Sequence, residues 1–144
     1  MKTIKTIEKD IIQEFEALTD IDAKYAHLFK IGEALPELDP KYKTEAYRVK
    51  GCESTVWFHL RNDNGRLSLE ADSDSMLIKG ITALLVRIIA NRQPHELENL
   101  SLNFLNEINI WKLPSKRNSG LMAMLGHIKT KAKSIQQSEG QAAQ

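Results

Sequence analysis

Cys52 is the only cysteine among the 144 residues, and it stands in the run Lys50-Gly51-Cys52-Glu53-Ser54. Without a second cysteine the chain cannot form an internal disulfide or a multi-cysteine metal site. The thiol is therefore either a small buried hydrophobic group or a nucleophile towards a partner. Gly51 gives the backbone freedom, and its charged and hydroxyl-bearing neighbours favour a surface loop, so the local sequence favours reactivity.

A reactive role requires the thiolate form of Cys52. An unperturbed cysteine has a pKa of about 8.5 and is only a few per cent thiolate near neutral pH, so a positive neighbour or a partner's field must increase that fraction. Arg48 and Lys50 are candidates by their position in the sequence, whereas Glu53 opposes a second negative charge. The sequence thus predicts a thiol whose ionisation depends on cations nearby.

The histidines offer weak support for other chemistry at Cys52. His27, His59, His95 and His127 are scattered without ligand spacing, so no metal site is predicted. His59 is the nearest of them to Cys52, and the two could form a nucleophile–base pair in a cysteine hydrolase or transferase. On an uninterrupted strand, however, their odd separation would place them on opposite faces.

A β-hairpin is predicted directly after the cysteine. Apolar and polar residues alternate over residues 56–61 and again over 67–71, and the turn-forming run Asn62-Asp63-Asn64-Gly65 separates them. Residues 72–75 then offer hydroxyl and carboxylate groups that can accept hydrogen bonds from the free N–H groups of a following helix. Cys52 is therefore expected in the loop that leads into the first strand.

Helices are predicted on both sides of this hairpin. An apolar stripe at helical spacing marks the first helix, and it consists of Ile4, Ile7, Ile11, Phe15 and Leu18. A second helix is predicted over residues 25–32, a buried central one over 76–90, short ones near Pro94 and Leu102, and a last one over 121–135. Residues 43–50 fit a strand or a loop, and about 136–144 fit a frayed tail. The prediction is one α+β domain over residues 1–144, a small antiparallel β-sheet with helices packed on one side.

Composition limits the partners and the compartment. The hydrophobic share of 42% and charged share of 27% are those of a soluble globular protein, and a net charge of +1 gives no strong field for nucleic acid or membrane. The apolar run 76–90 is shorter than the roughly 20 residues of a membrane span. Charges interspersed near the N-terminus argue against a secretory signal, so a cytoplasmic protein is expected. The C-terminal end is locally basic, which allows a non-catalytic interaction module that binds an acidic partner.

Four blocks occur in order along the chain. They are residues 28–36 (Leu-Phe-Lys-Ile-Gly-Glu-Ala-Leu-Pro), 49–57 (Val-Lys-Gly-Cys-Glu-Ser-Thr-Val-Trp), 72–80 with its Asp-Ser-Asp and Ile-Lys-Gly runs, and 117–124 (Arg-Asn-Ser-Gly-Leu-Met-Ala-Met). Together they resemble the SufE/CsdE family of sulfur acceptors, associated with Fe–S metabolism. The order and spacing of the four blocks, more than any one of them, carry the resemblance.

The resemblance implies a SufE/IscU-like α+β fold and a function. Family members take sulfur from the persulfide of a pyridoxal-phosphate cysteine desulfurase of the SufS/CsdA type, stimulate that enzyme, and pass the sulfur to an Fe–S scaffold of the SufB type. Cys52 matches their acceptor, and Arg117, in the fourth block, is a candidate contact with the desulfurase. Asp74 is first a helix-start residue, and its negative charge beside the acceptor loop could also meet a basic partner surface. The chain itself is expected to bind no cofactor, since the pyridoxal phosphate belongs to the desulfurase. It would act as a sulfurtransferase-like accessory protein, a monomer or homodimer, rather than as an independent metabolic enzyme.

Two departures from the family pattern bear on these expectations. Pro114 stands three residues before Arg117, where the family usually has a proline two residues before the arginine, so the approach to Arg117 is expected to differ. Glu53 replaces the glutamine common in the SufE branch and matches the CsdE-like variant. One residue does not choose between the two branches.

Overall fold

Helices pack against one β-hairpin in the computed structural model, which describes residues 2–108, 110 and 115–142, the side chains of 115–118 and 139–142 excepted. The helices in this part are α1 (Ile4–Glu16), α2 (Ile21–Glu33), α3 (Met76–Ile89), α4 (Phe104–Glu107) and α5 (Ser115–Ala142). The strands are β1 (Val56–Asp63) and β2 (Arg66–Ser73), and short 3₁₀ turns occupy Pro40–Tyr42, Glu45–Tyr47 and Pro94–Leu97. The α+β class predicted from the sequence is confirmed.

The hairpin follows the predicted register. Asn64 and Gly65 have φ angles of 54° and 88°, the pair of left-handed residues that a tight two-residue turn between antiparallel strands requires. Phe58 lies opposite Ala71 on the buried face, and His59 lies opposite Glu70 on the other. The alternation therefore gives the hairpin one apolar face, as the sequence predicted.

Each edge of this two-stranded sheet is paired with another segment. At the β2 edge the N–H groups of Leu67 and Arg92 each donate to the other's carbonyl oxygen, at 2.7 and 3.1 Å. At the β1 edge Arg48 forms an antiparallel bridge with Trp57. These pairings satisfy backbone groups that an open edge would leave to water.

The helix α3 is the centre of the core. Ser75 is its N-cap and accepts a hydrogen bond from the N–H of Ile78, so the predicted capping run supplies the cap. The helix packs against β2 and against both α1 and α2. Gly80 lies so close to α2 that a Cβ atom there would be 2.5 Å from the carbonyl oxygen of Leu28.

The first and last helices differ in how well the sequence predicted them. The α1 stripe is confirmed, with Ile11 and Phe15 fully buried. Helix α5 is longer than the predicted 121–135, because it begins at Ser115 and continues to Ala142, where a frayed tail from about residue 136 was expected. Residues 136–138 are exposed, and the glutamines and glutamate of this tail are fair helix formers, so propensity rather than burial accounts for the extension. None of the helices in the described part of the chain combines the length and apolar character that a bilayer crossing needs.

Candidate functional site

Cys52 lies in a loop whose two ends are fastened together. We call residues 50–55 the cysteine loop. At its base the N–H of Val49 donates to the carbonyl oxygen of Val56 at 2.9 Å, next to the bridge between Arg48 and Trp57. Gly51 has a φ of 88°, a conformation that side chains disfavour, so the glycine predicted to free the backbone is required by the turn. The loop therefore projects from a fixed base beside β1.

The thiol turns inwards from this otherwise polar loop. Cys52 is half-buried and packs against the hydrophobic core, whereas Lys50, Gly51 and Glu53 are exposed. Its Sγ atom lies against α5, where a Cβ atom built on Gly120 would be only 3.1 Å away. The surface loop predicted from the sequence is confirmed, and its sulfur is partly shielded from solvent.

The same helix also receives Gly51. A Cβ atom built on Gly51 would be 3.2 Å from the Cβ atom of Ala123, one turn beyond Gly120. Two successive loop residues thus rest on two small residues of α5. Sequence reasoning included Gly120 in a family motif but missed its contact with the sulfur, since nothing local indicates that residues 51–52 and 120–123 meet.

Asp74 fastens the far end of the cysteine loop. Its Oδ1 atom accepts a hydrogen bond from the N–H of Thr55 at 3.0 Å, and its own N–H donates to the carbonyl oxygen of Thr55 at 3.2 Å. The hydroxyl of Ser73 donates to the same carbonyl oxygen at 2.8 Å. Asp74 had been expected to start helix α3, but the cap is Ser75, and the Asp74 side chain holds the loop instead.

The two cations nearest the cysteine in sequence are engaged elsewhere. Arg48 and Lys50 both bind the exposed carboxylate of Glu45, at 3.1 and 2.5 Å. The hydrogen bond from Lys50, then that from Arg48, lowers the pKa of Glu45 below its ordinary value. The positive charges predicted to favour the Cys52 thiolate are therefore paired with another carboxylate in this conformation.

Charged groups also surround Trp57 at the start of β1. The Lys43 ammonium lies 5.9 Å from the centroid of the Trp57 ring and 3.0 Å from the Asp72 carboxylate, which Lys79 also approaches at 3.4 Å. Burial alone would raise the pKa of Asp72, but the hydrogen bonds from Lys43 and from the N–H of Ser73, with the Lys79 charge, lower it overall. Trp57 thus packs beside the loop base, between its bridge with Arg48 and the Lys43 ammonium.

His59 belongs to a separate cluster on the outer face of the hairpin. Its Nδ1 atom lies 2.7 Å from Glu70, and its ring stacks on Tyr42 with centroids 3.8 Å apart while Tyr47 meets it edge-on. These contacts hold His59 against Tyr42 and Tyr47, which belong to the segment that covers the outer face of the hairpin. Among the described residues, no group of three or more His, Cys, Asp or Glu side chains could hold a metal ion.

Arg117 lies in the first turn of α5, one turn before Gly120, and its side chain is outside the part that the structure describes. Residues 111–114, which include Pro114, lie wholly outside the described part. The implied contact of Arg117 with a partner stays a prediction.

Comparisons with known proteins agree on this region. The family model described as "SufE: Fe-S metabolism associated domain" matches residues 9–132, which include the cysteine loop and most of α5. SufE-like protein 1 of Arabidopsis thaliana, chloroplastic/mitochondrial, is 36% identical over 126 residues, 86% of this chain. The chain spans only 34% of that relative's length. An uncharacterized SufE-like protein of Rhizobium etli is 32% identical over 129 residues, which cover 85% of this chain and 87% of the relative.

A solved structure shares the fold. The solution structure of a hypothetical protein from Thermus thermophilus superposes with a TM-score of 0.72 over 89% of this chain and 94% of that one. The sequence identity is 18%, so this likeness concerns the arrangement of helices and strands alone.

Proposed function

The chain belongs to the SufE family, whose domain is associated with Fe–S metabolism, and from this membership we propose that Cys52 accepts sulfur from the persulfide of a cysteine desulfurase. The desulfurase would be a pyridoxal-phosphate enzyme of the SufS/CsdA type, and the sulfur would pass on to an Fe–S scaffold of the SufB type. The proposed compartment is the cytoplasm. The observation that carries the proposal is the position of a lone, half-buried thiol on a polar loop with a glycine turn and a fixed base.

The proposed step is a thiol–persulfide exchange. The Cys52 thiol loses its proton to solvent, and the thiolate attacks the outer sulfur of the donor's persulfide. A bond forms between Cys52 Sγ and that sulfur as the bond to the donor cysteine breaks, and the donor leaves as a thiolate. The number of S–S bonds is unchanged, so no external oxidant or reductant is needed. The freed desulfurase can then turn over again, which explains stimulation.

The loop geometry supports the movement that this exchange requires. The hydrogen bond from Val49 to Val56 closes the base, so the segment above it can leave α5 while the hairpin keeps its register. Gly51 absorbs the change in backbone angles at low cost. In the resting position the thiol packs against the core, which would protect a persulfide from oxidants.

The source of thiolate stabilisation would be the partner. Since Arg48 and Lys50 are paired with Glu45, the resting loop offers Cys52 no cation from these two side chains. A positive field in the desulfurase site, or transfer of Lys50 away from Glu45 on docking, would raise the thiolate fraction. Sulfur acceptance would thereby be tied to the docked state.

Asp74 and Arg117 are proposed as partner contacts on either side of the loop. Asp74 is exposed beside Thr55, and Arg117 precedes Gly120 by one helical turn. An exposed carboxylate can meet a basic patch on the desulfurase. For Arg117, an Arg117→Ala variant with unchanged desulfurase affinity and unchanged transfer rate would remove it from the proposed interface.

The competing functions receive less support. A cysteine hydrolase would need a base beside Cys52, and His59 is instead bound to Glu70 and stacked on Tyr42. Such an enzyme would take up an acyl group from an ester probe. A non-catalytic module that used the basic C-terminal helix would bind its partner equally well after Cys52→Ser.

Desulfurase turnover tests the proposal. We expect the wild-type chain to increase the rate at which a SufS/CsdA-type desulfurase converts cysteine to alanine, and Cys52→Ser to abolish this increase. Ser54→Ala is the matched control, because it removes a hydroxyl from the same loop and leaves the thiol, and it should stimulate normally. Stimulation by Cys52→Ser at the wild-type level would refute the acceptor role.

A further inference from the structure

We propose that Gly120 is a positioning residue that determines how deeply the Cys52 sulfur rests against α5. The role assigned to that sulfur depends on the proposed function, but the contact itself does not. A Cβ atom at position 120 would lie 3.1 Å from Cys52 Sγ, well inside ordinary van der Waals separation. The missing side chain of Gly120 is therefore what lets the sulfur approach the helix backbone.

Helix stability alone gives no reason for this glycine. Gly120 lies in a helical backbone that alanine adopts readily, and glycine costs about 1 kcal/mol relative to alanine inside a helix. Gly126, in the same helix, has no atom within 4 Å of the Cβ position and so faces no packing demand. The two glycines differ in the contact with Cys52, which makes Gly126 a built-in control.

A second contact shows that the cysteine loop meets α5 at more than the Cys52 sulfur. Gly51 meets Ala123 one turn along α5, at a position where a Cβ on Gly51 would be 3.2 Å from the alanine Cβ. The φ of 88° at Gly51 directs the chain so that the next residue, Cys52, faces Gly120. Small residues on both sides thus bring the loop down onto the helix.

The depth of the sulfur affects its chemistry in a definite direction. An alanine at position 120 would press on Sγ, and because the helix backbone cannot give way, the sulfur must move away from α5, by rotation of the Cys52 side chain or together with the loop. In either case the variant would hold the sulfur against α5 less often. Its thiol would react faster with small reagents, and a persulfide on it would be less protected.

Alkylation of Cys52 by iodoacetamide, followed by intact mass, tests this without any desulfurase. We expect Gly120→Ala to react roughly tenfold faster than wild type, which corresponds to about 1.4 kcal/mol of lost preference for the resting position. Gly126→Ala should react at the wild-type rate. Equal rates for Gly120→Ala and wild type, in folded protein, would overturn the inference.

A stability comparison covers the case in which Gly120→Ala folds poorly. In a Cys52→Ala background the sulfur is gone and the nearest remaining contacts are 3.7 Å, so Gly120→Ala should raise the melting temperature as much as Gly126→Ala does. The same loss of stability with and without the sulfur would also overturn the inference. If alkylation behaves as expected but the chain accepts no sulfur from a desulfurase, the proposed function fails and the role of Gly120 stands.

Discussion

Asp74 holds the cysteine loop through Thr55, and this role depends on a partner 19 positions earlier in the chain. Its carboxylate and its N–H each bond one backbone group of Thr55, so one residue satisfies both polar groups at the end of the loop. The side chain is exposed, so each bond contributes modestly to stability. We expect its larger effect on the proposed equilibrium between the attached and the detached loop.

Asp74→Ala should loosen the cysteine loop. Loss of the bond to the Thr55 N–H removes about 1 kcal/mol from the attached state, which corresponds to about fivefold faster alkylation of Cys52. Asp63→Ala is the control, since it removes an exposed hairpin carboxylate whose ion pair is with Arg61. Unchanged alkylation in Asp74→Ala would show that the Thr55 contact does not restrain the loop.

Asp74→Asn separates anchoring from partner binding. The amide oxygen can still accept from Thr55, so alkylation should stay near the wild-type rate. If the negative charge of Asp74 meets a basic patch on the desulfurase, the affinity measured by titration calorimetry should fall. A variant with wild-type affinity would limit Asp74 to its role in the loop.

At the residue scale the sequence was informative about what is local. The lone Cys52, the need for Gly51 and the polar loop around them follow from residue types and spacing. The contacts with Gly120 and Thr55 did not follow, because they depend on which distant segments the fold brings together. The same reason explains why Arg48 and Lys50 were assigned to Cys52, while in the structure both bind Glu45.

Among the elements, α2 and α3 cross at a pair of glycines. A Cβ on Gly32 would lie 2.8 Å from the backbone nitrogen of Gly80, and a Cβ on Gly80 would lie 2.5 Å from the carbonyl oxygen of Leu28. Both contacts involve backbone, which cannot rotate away as a side chain can. Helix α3, which packs on α2 at this crossing, also contacts β2 and begins directly after the Asp74 anchor.

Gly80→Ala should therefore destabilise the protein by about 3 kcal/mol in urea denaturation, the upper range for overpacked cores. Gly126→Ala makes the same chemical change at a position with no neighbour within 4 Å and should be neutral or stabilising. Equal stabilities for the two variants would contradict the close crossing.

The contact between α5 and β1 predicts a dependence on pH. His127 is half-buried on α5, edge-on to Phe58 with ring centroids 6.0 Å apart, and burial, followed by the Lys131 charge, lowers its pKa below 6.5. Below pH 6.5 the unfolded chain then binds a proton more readily than the folded one does. Stability should fall as the pH drops through this value.

His127→Gln should remove part of this dependence. We expect urea denaturation at about pH 7.5 and about pH 5.5 to give a smaller loss of stability in His127→Gln than in wild type. His95→Gln, which removes an exposed histidine, should keep the wild-type difference. The same loss in all three proteins would contradict the coupling to His127.

Element predictions succeeded where the pattern was periodic. The hairpin, its Asn-Gly turn and the buried central helix follow from alternation, turn chemistry and apolar length. The ends of α5 did not, because its first residues and its tail lack an apolar stripe, and helix propensity alone gives weak boundaries. Residues 43–50, left open between strand and loop, form a 3₁₀ turn and a single bridge to Trp57.

For the whole molecule, the fold class, the family and the association with Fe–S metabolism agree. The α+β arrangement is shared with the Thermus thermophilus protein, and the SufE domain match covers residues 9–132. A net charge of +1 leaves little long-range steering, so recognition of a desulfurase would depend on short-range contacts around the cysteine loop. The molecule would then act as a carrier whose partly shielded thiol becomes fully reactive after docking.

The central claim, that Cys52 receives sulfur, is tested most directly by the intact mass of the chain after incubation with a cysteine desulfurase and free cysteine. We predict that the wild-type chain gains about 32 Da, that dithiothreitol removes this mass, and that Cys52→Ser gains nothing, which assigns the added sulfur to Cys52. A wild-type chain that stays unmodified while the desulfurase turns over, or a Cys52→Ser chain that gains the same mass, would contradict the account.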